Sequence, residues 1–366
     1  MRKVWLSTSK LPPHSVIDNL RMLSVDKAIP LQASLELTNR CNERCTHCYI
    51  DHFRDDPQRI LSKEDWFLII QKLRDAGTLY LVLMGGEAML NPFFWDILAY
   101  ANDLHLHVSM ITNGLKIQTQ NVAKRLKETG LHVVTVSLYS LDELIHDEMT
   151  AVMGSHVKTM HAIELLLEQG IEVTINCLLT RQNIETHFDL IEWCIGKNLQ
   201  IKEDVTVTPK LSGDLSPVNL RATQQQLRWY FGEKARRWPK STPRPIMESP
   251  EDYVCNVAKG KCAVTAYGEL LGCIDVRESF GSLLTEDFST IWNSPIALKW
   301  RNLKLKDIKG INILSGCGHF CEHCFGMAIH ESDTPLTLTE GSKVLASVKE
   351  AVYQSSFNEQ GDARDS

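Results

Sequence analysis

The segment Cys41-Asn42-Glu43-Arg44-Cys45-Thr46-His47-Cys48-Tyr49 puts three thiols at the spacing CxxxCxxC. Three thiolates on one short loop can ligate three irons of a cubane [4Fe–4S] cluster, leaving the fourth iron open for chemistry. The competing ligand is zinc, which takes four ligands, usually begins with CxxC, and would have to recruit His47 or a distant residue. A second group, Cys255, Cys262, Cys273, Cys317, Cys321 and Cys324, ends in Cys317-Gly318-His319-Phe320-Cys321-Glu322-His323-Cys324. It offers the same choice between iron–sulfur and zinc ligation.

The surrounding composition narrows the setting. No run approaches the roughly 20 apolar residues of a bilayer span, and Met1-Arg2-Lys3-Val4-Trp5 is basic with no apolar stretch behind it. The expected location is therefore the cytoplasm, with no membrane partner. An odd count of 11 cysteines fits a disulfide framework poorly, least of all in a reducing compartment. Cys177 and Cys194 lie among apolar neighbours and are expected to be buried and inert. With 39 basic against 45 acidic residues, a net charge of -6, no long-range positive field would draw the chain to nucleic acid.

The elements that position these residues alternate. Short β-prone runs near 33–38, 79–84, 106–111, 132–138, 171–178 and 203–208 are separated by amphipathic helical stretches at 63–76, 94–104, 120–129, 141–149, 156–169 and 185–197. Ser62 is a candidate N-cap, and Gly77, Gly130 and Gly170 follow the last periodic residues of their helices. Six βα units make an α/β fold, three-quarters of an eight-stranded barrel, with a doubly wound sheet as the alternative. Residues 1–30 form an N-terminal extension, 31–210 the barrel, and 211–254 a helical linker with a helix over 223–237 and a proline-rich end. The cysteine-rich 255–330 shows little periodic hydrophobicity and predicts a small domain organised by metal rather than by a large core. Residues 331–366 hold a helix over 341–353 and a polar tail from Asn358, expected to be disordered.

The CxxxCxxC loop after the first strand resembles that of the radical S-adenosylmethionine (radical SAM) enzymes, whose fold is a partial (β/α)6 barrel. Further motifs carry the resemblance over about 30–208. Met84-Gly85-Gly86-Glu87, ending the second strand, matches the segment that holds the methionine amino group of S-adenosylmethionine in that family. Thr112-Asn113-Gly114 resembles the segment bordering the adenosine, and Ser137 a position whose hydroxyl binds ribose or carboxylate. Tyr49, next to Cys48, is assigned to the same cofactor site. Such placements have physical sense, because ligands bind where loops converge at the C-terminal ends of parallel strands. Glycine-rich adenine contacts on the fifth strand are faint here in Gly170-Ile171-Glu172-Val173, and Asn176 and Arg181 are either cofactor contacts or strand-end polar residues.

The second cysteine group resembles a SPASM or twitch extension, which implies one or two auxiliary iron–sulfur clusters. Its expected ligands are Cys255, Cys273, Cys321 and Cys324, with Cys262 and Cys317 spare or holding a second, incomplete cluster. The resemblance implies reductive cleavage of S-adenosylmethionine to a 5′-deoxyadenosyl radical. Hydrogen abstraction from a substrate follows, with oxidation to a crosslink or a dehydrogenated product. Asp275, two residues after Cys273, is the candidate base, with Glu36 and Asp204 as others. The implied substrate is a peptide in ribosomal peptide maturation, with a small-molecule dehydrogenase as one alternative and a non-enzymatic zinc-binding module as another. The implied partners are a reductant such as flavodoxin or ferredoxin and, because residues 1–30 are short for a leader-peptide recognition domain, a separate recognition protein.

Overall fold

The computed structural model describes residues 16–243, 249–310, 320–332 and 334–362. Six parallel strands follow one another, β1 (Gln32–Glu36), β2 (Tyr80–Met84), β3 (His107–Thr112), β4 (Val133–Ser137), β5 (Glu172–Leu178) and β6 (Gln200–Asp204). Their order in the sheet is β6-β5-β4-β3-β2-β1, with no reversal. That order decides between the two topologies left open by sequence. A doubly wound sheet reverses its strand order midway, whereas a monotonic order with right-handed crossovers puts every helix on one face and curls the sheet around the other. An open barrel results.

The helices form where local signals agree with the apolar period. Helix α2 (Lys63–Asp75), preceded by α1 (Val16–Asp26), starts at Ser62, whose hydroxyl accepts from the Asp65 backbone in a capping box. It buries Trp66, Ile69, Ile70 and Leu73, the spacing of one helical face. Helices α3 (Phe94–Asp103), α4 (Gln120–Glu128), α5 (Glu143–Thr150), α6 (Ser155–Glu168) and α7 (His187–Gly196) complete the wrap. Strand β6 begins three residues before its expected position. The apolar Val205 and Val207 suggested a later strand, but the polar Gln200–Asp204 pairs with β5 as the sheet edge, with Thr174 opposite Gln200 and Leu178 opposite Asp204.

The cysteine-rich segment departs most from expectation. Its first strand, β7 (Lys261–Val264), pairs in parallel with β1, with Gln32 opposite Lys261 and Leu35 opposite Val264. Antiparallel β8 (Glu269–Leu271) and β9 (Gly281–Ser282) extend the sheet further. The segment also buries Leu270, Phe280, Trp292 and Trp300, partly through α9 (Phe288–Trp292) and α10 (Pro295–Arg301), so it has an apolar core continuous with the barrel's. Helix α8 (Gln224–Arg237), from the linker, packs against the last helix, α12 (Glu340–Asp362), which follows α11 (Phe325–Ser332). Residues 358–362, expected to be disordered, continue α12.

A buried polar knot locks α8 to the barrel edge. Glu203 on β6 accepts from Tyr230 Oη at 2.6 Å and His187 Nε2 at 2.8 Å, and pairs with Lys234. Burial alone would push its carboxyl up, but the His187 hydrogen bond and the Lys234 charge outweigh it and hold the group at about 2. A depressed folded-state value stabilises the fold above the ordinary carboxylate range, and that stability is lost as pH falls toward about 2. Glu203→Gln should therefore cost roughly 3 kcal/mol at pH 7 by urea denaturation. The gap from the parent should shrink steadily as the pH is lowered from about 4.5 toward about 2.

Candidate active site

The CxxxCxxC loop leaves the C-terminal end of β1 and is clamped from two sides. On one, Gly86 N donates to Thr38 O at 2.7 Å and Glu87 N to Arg40 O at 2.8 Å. On the other, Arg44 N donates to Thr150 O and Thr46 N to Met149 O, at the end of α5. A Cβ on Gly85, whose φ is +144°, would lie 2.4 Å from Thr38 O, and one on Gly86 would lie 2.4 Å from Arg40 O. The two glycines are required by the approach of one backbone to another, a reason distinct from closeness to a ligand.

Glu87 is buried at 1% exposure, and both its carboxylate oxygens accept hydrogen bonds. It accepts from Thr112 Oγ1 at 2.9 and 3.0 Å, from Asn113 N at 3.0 Å and from Met89 N at 3.3 Å. In this structure it ties the end of β2 to the end of β3. Asn113 in turn reaches the cysteine loop, its Nδ2 lying 2.8 Å from Asn42 Oδ1 and 3.8 Å from Cys41 Sγ. Thr159 on α6 holds Asn113 O at 2.8 Å.

The three loop thiols are free, half-buried, and close enough to act on one another. Burial pushes Cys41 up to about 12 and raises Cys45 and Cys48 as well. Neutral thiols become ligands only when a bound cation takes the place of their protons, so this donor set fits an iron–sulfur core. His47, the fourth ligand a zinc reading would recruit, instead packs edge-on against Tyr139 with ring centroids 4.6 Å apart. Glu43, between the first two cysteines, is 3% exposed, accepts from Cys45 Sγ at 3.3 Å, and is pushed up to about 7 by burial.

In the second group, Cys255, Cys273 and Cys324 act on one another and on Lys261 of β7. Burial pushes Cys273 up to about 11 and raises Cys255 and Cys324. Cys321 is buried three residues before Cys324. Cys262 does not belong with them. Side chains alternate along a strand, so with Lys261 directed at the thiols Cys262 faces the other way. There it is 3% exposed in the apolar core, and burial alone raises it. This removes Cys262 from the expected ligands, while Cys317 lies outside the described residues. Cys177 and Cys194 are both fully buried, as expected of inert thiols.

The remaining candidates sort by their surroundings. Asp275 lies 3.6 Å from Cys273 Sγ and acts electrostatically on Tyr49 and Asp204. Tyr49 is raised well above its ordinary range by burial, then by Glu36 and Cys48. Asp204 is raised by burial, with Glu322 and Asp275 adding to it. Ser137 ends β4 two residues before Tyr139, and Asn176 stands opposite Ser137 in the β4–β5 register. Arg181 is exposed and donates to Arg221 O, on the outer surface. Glu36 fails as a base, because both its oxygens pair with Arg277 at 2.7 and 2.9 Å.

Four residues that border the site were not singled out from sequence: Glu43, Tyr139, Tyr267 and Arg277. Tyr267 Oη accepts from Asn39 Nδ2 at 3.0 Å and Asp56 N at 3.1 Å, tying the β7–β8 turn to the chain on either side of the cysteine loop. Tyr139 stands just past the end of β4, a strand-end position that could have drawn attention. Arg277 carried only its proximity to Cys273 as a signal.

The Radical SAM superfamily model matches residues 35–194, and the SPASM model, an iron–sulfur cluster-binding domain, matches residues 255–325. The chain carries a radical SAM domain followed by a SPASM domain. S-adenosylmethionine, a [4Fe–4S] cluster and auxiliary iron–sulfur clusters are the cofactors of this domain pair. Among relatives of the radical SAM protein, the sporulation killing factor maturation protein SkfB of Bacillus subtilis (strain 168) is 32% identical over 171 residues, 47% of this chain and 41% of SkfB. The chain spans less than half the length of the first curated relatives it matches. Two solved structures share the fold. Streptococcus suis SuiB bound to precursor peptide SuiA has a TM-score of 0.65 at 17% identity, covering 90% of this chain and 80% of SuiB. Native anSMEcpe with bound AdoMet and Cp18Cys peptide has a TM-score of 0.70 at 16% identity, covering 92% and 99%.

Two substitutions separate the cysteines of the radical SAM protein. Cys262→Ala should keep the full iron content of the anaerobically purified protein and cost only about 1 kcal/mol of packing, whereas Cys273→Ala should lose auxiliary iron while the N-terminal site stays loaded. Gly86→Ala should do the reverse, because its Cβ drives into Arg40 O. Iron analysis and visible absorption check all three.

Proposed function

We propose that this radical SAM protein is a peptide maturase that oxidatively modifies a ribosomally made precursor, forming a crosslink or a dehydrogenated residue. The observation that carries the reading is the tie between the two cysteine sites: Glu36, five residues before Cys41, pairs at 2.7 Å with Arg277, four residues after Cys273. A substrate held beside that pair would meet both clusters. S-adenosylmethionine bound at the Cys41/Cys45/Cys48 cluster supplies, on reduction, a 5′-deoxyadenosyl radical able to abstract hydrogen from unactivated carbon.

The chain's own residues bind, orient and shield. The Gly85-Gly86 turn and the Thr112-Asn113 segment, fixed by Glu87, would border the cofactor. Ser137 and Tyr139 would close the β4 side. Asp275, 3.6 Å from Cys273 Sγ, would hold the proton released when the substrate is oxidised, since Glu36 is spent on Arg277 and Asp275 is the acid beside the auxiliary thiols. Cys255, Cys273, Cys321 and Cys324 would hold the auxiliary cluster that receives the electron. The names of SkfB as a maturation protein and SuiA as a precursor peptide support a peptide substrate over a small molecule. The further partners proposed are a flavodoxin- or ferredoxin-type reductant and a separate leader-recognition protein.

The test is anaerobic incubation with S-adenosylmethionine, reductant and precursor peptides encoded nearby, read by mass spectrometry. The loss of two hydrogens is expected; solvent deuterium gain without mass loss in ordinary water would indicate epimerisation instead. Changing Cys41, Cys45 and Cys48 together to Ala should abolish S-adenosylmethionine cleavage and leave auxiliary iron in place. Colourless parent protein carrying stoichiometric zinc would overturn the enzyme reading.

A further inference from the structure

We propose that the Glu36–Arg277 ion pair is a positioning device that sets the separation between the two cysteine sites. The inference rests on the reading that both sites carry iron–sulfur clusters. Glu36 is the last residue of β1, and five residues later the chain reaches Cys41. Its side chain is 5% exposed and both oxygens meet the guanidinium, Oε1 at 2.7 Å from Nη1 and Oε2 at 2.9 Å from Nη2. The same Nη1 donates to Ile274 O at 3.2 Å. One planar group thus grips the end of β1 and the backbone beside Cys273 at once.

The strand ladder does not reach this far. Leu271 pairs with Ala263, which pairs with Ser34, and so fixes β8 relative to β1. Beyond Leu271 the chain leaves the ladder, turns through the Cys273–Val276 bridge, and rejoins a strand only at Gly281. Arg277 carries the connection back to β1 within that gap. The turn is also rigidly joined to the last cysteine. A Cβ on Gly326, two residues after Cys324, would lie 2.0 Å from Asp275 O, so α11 starts in direct contact with the turn. Whatever holds Arg277 therefore holds Cys273 and Cys324 together.

An ion pair is a poor choice for stability alone, since burying both charges costs about as much as their attraction returns, and apolar residues of the same size do as well. What a bidentate guanidinium–carboxylate pair adds is a fixed distance and plane. The change Arg277→Lys would keep the charge and lose the fork.

The test uses the anaerobically reconstituted full chain, with pulsed electron paramagnetic resonance reading the dipolar coupling between the two reduced clusters. The Glu36→Gln/Arg277→Met pair of changes leaves no orphan charge. It should retain the iron of the parent and the separate signals of both clusters, but lose the single well-defined coupling. More S-adenosylmethionine should be cleaved per substrate modified. Arg277→Lys should fall between, and the exchange Glu36→Arg/Arg277→Glu should recover the coupling. An unchanged coupling in the double variant, with only the melting temperature lowered, would overturn the proposal and leave the pair a structural one. A parent protein with signals from only one cluster would overturn the underlying reading of the site instead, which the same spectra reveal.

Discussion

The backbone leaving β1 is gripped from both flanks, and the rest of the site depends on that grip. On one side the Gly85-Gly86 turn packs so closely on Thr38–Arg40 that no Cβ fits between them. On the other, β7 continues the sheet in register and Tyr267 holds Asn39 and Asp56. A loop carrying three thiols gains nothing from secondary structure of its own, so its shape has to be imposed by neighbours. Here those neighbours are a strand end, a helix end and a hairpin that arrives more than 200 residues later in the chain.

The electrostatics follow from this enclosure. Burial raises Cys41, Cys45 and Cys48 in one site and Cys255, Cys273 and Cys324 in the other, and raises Glu43, Tyr49 and Glu87 with them. Groups so placed avoid charge unless something compensates it. Glu87 is compensated by donors from Thr112, Asn113 and Met89, and Glu36 by one guanidinium. The thiols receive backbone donors as well, Cys41 from Glu43 N at 3.4 Å and Cys48 from Ile50, but these offset burial only in part. Lys261 stands near the auxiliary thiols, and its ammonium is raised chiefly by Cys273.

Much of this was legible in the chain itself. The six βα units were readable because apolar period, caps such as Ser62 and terminating glycines agreed along each segment, and the cysteine spacing narrowed the chemistry to iron–sulfur or zinc ligation. What was hidden had a common cause, contact between residues distant in sequence. The parallel partner of β1 on its far side is four residues long and follows a proline-rich stretch, so Lys261–Val264 carried no period to distinguish it. Cys262 looked like a ligand because counting cysteines cannot say which face of a strand they occupy, and Lys261 beside it shows that the alternation of one strand decides the matter. Glu36 looked like a free acid at a strand end because its partner, Arg277, is 241 residues away. Strand β6 was misplaced because an edge strand with polar residues lacks the apolar run that marks a central one.

Building the auxiliary segment into the barrel's own sheet has a consequence that a tethered domain would not share. In the proposed reading both sites serve one substrate, which needs a separation that thermal motion does not blur, and a linker of flexible residues cannot supply one. A continuous sheet can, because β1 is hydrogen-bonded to β2 on one side and β7 on the other, and sliding either would break a ladder and turn its side chains to the wrong face. The described end of the linker shares this task, since Pro250 O and Asp252 O accept from Lys306 N and Leu305 N and Glu251 pairs with Lys304 and Lys306. The register of four residues on β7 then ties the second group of cysteines to the strand that leads into the first.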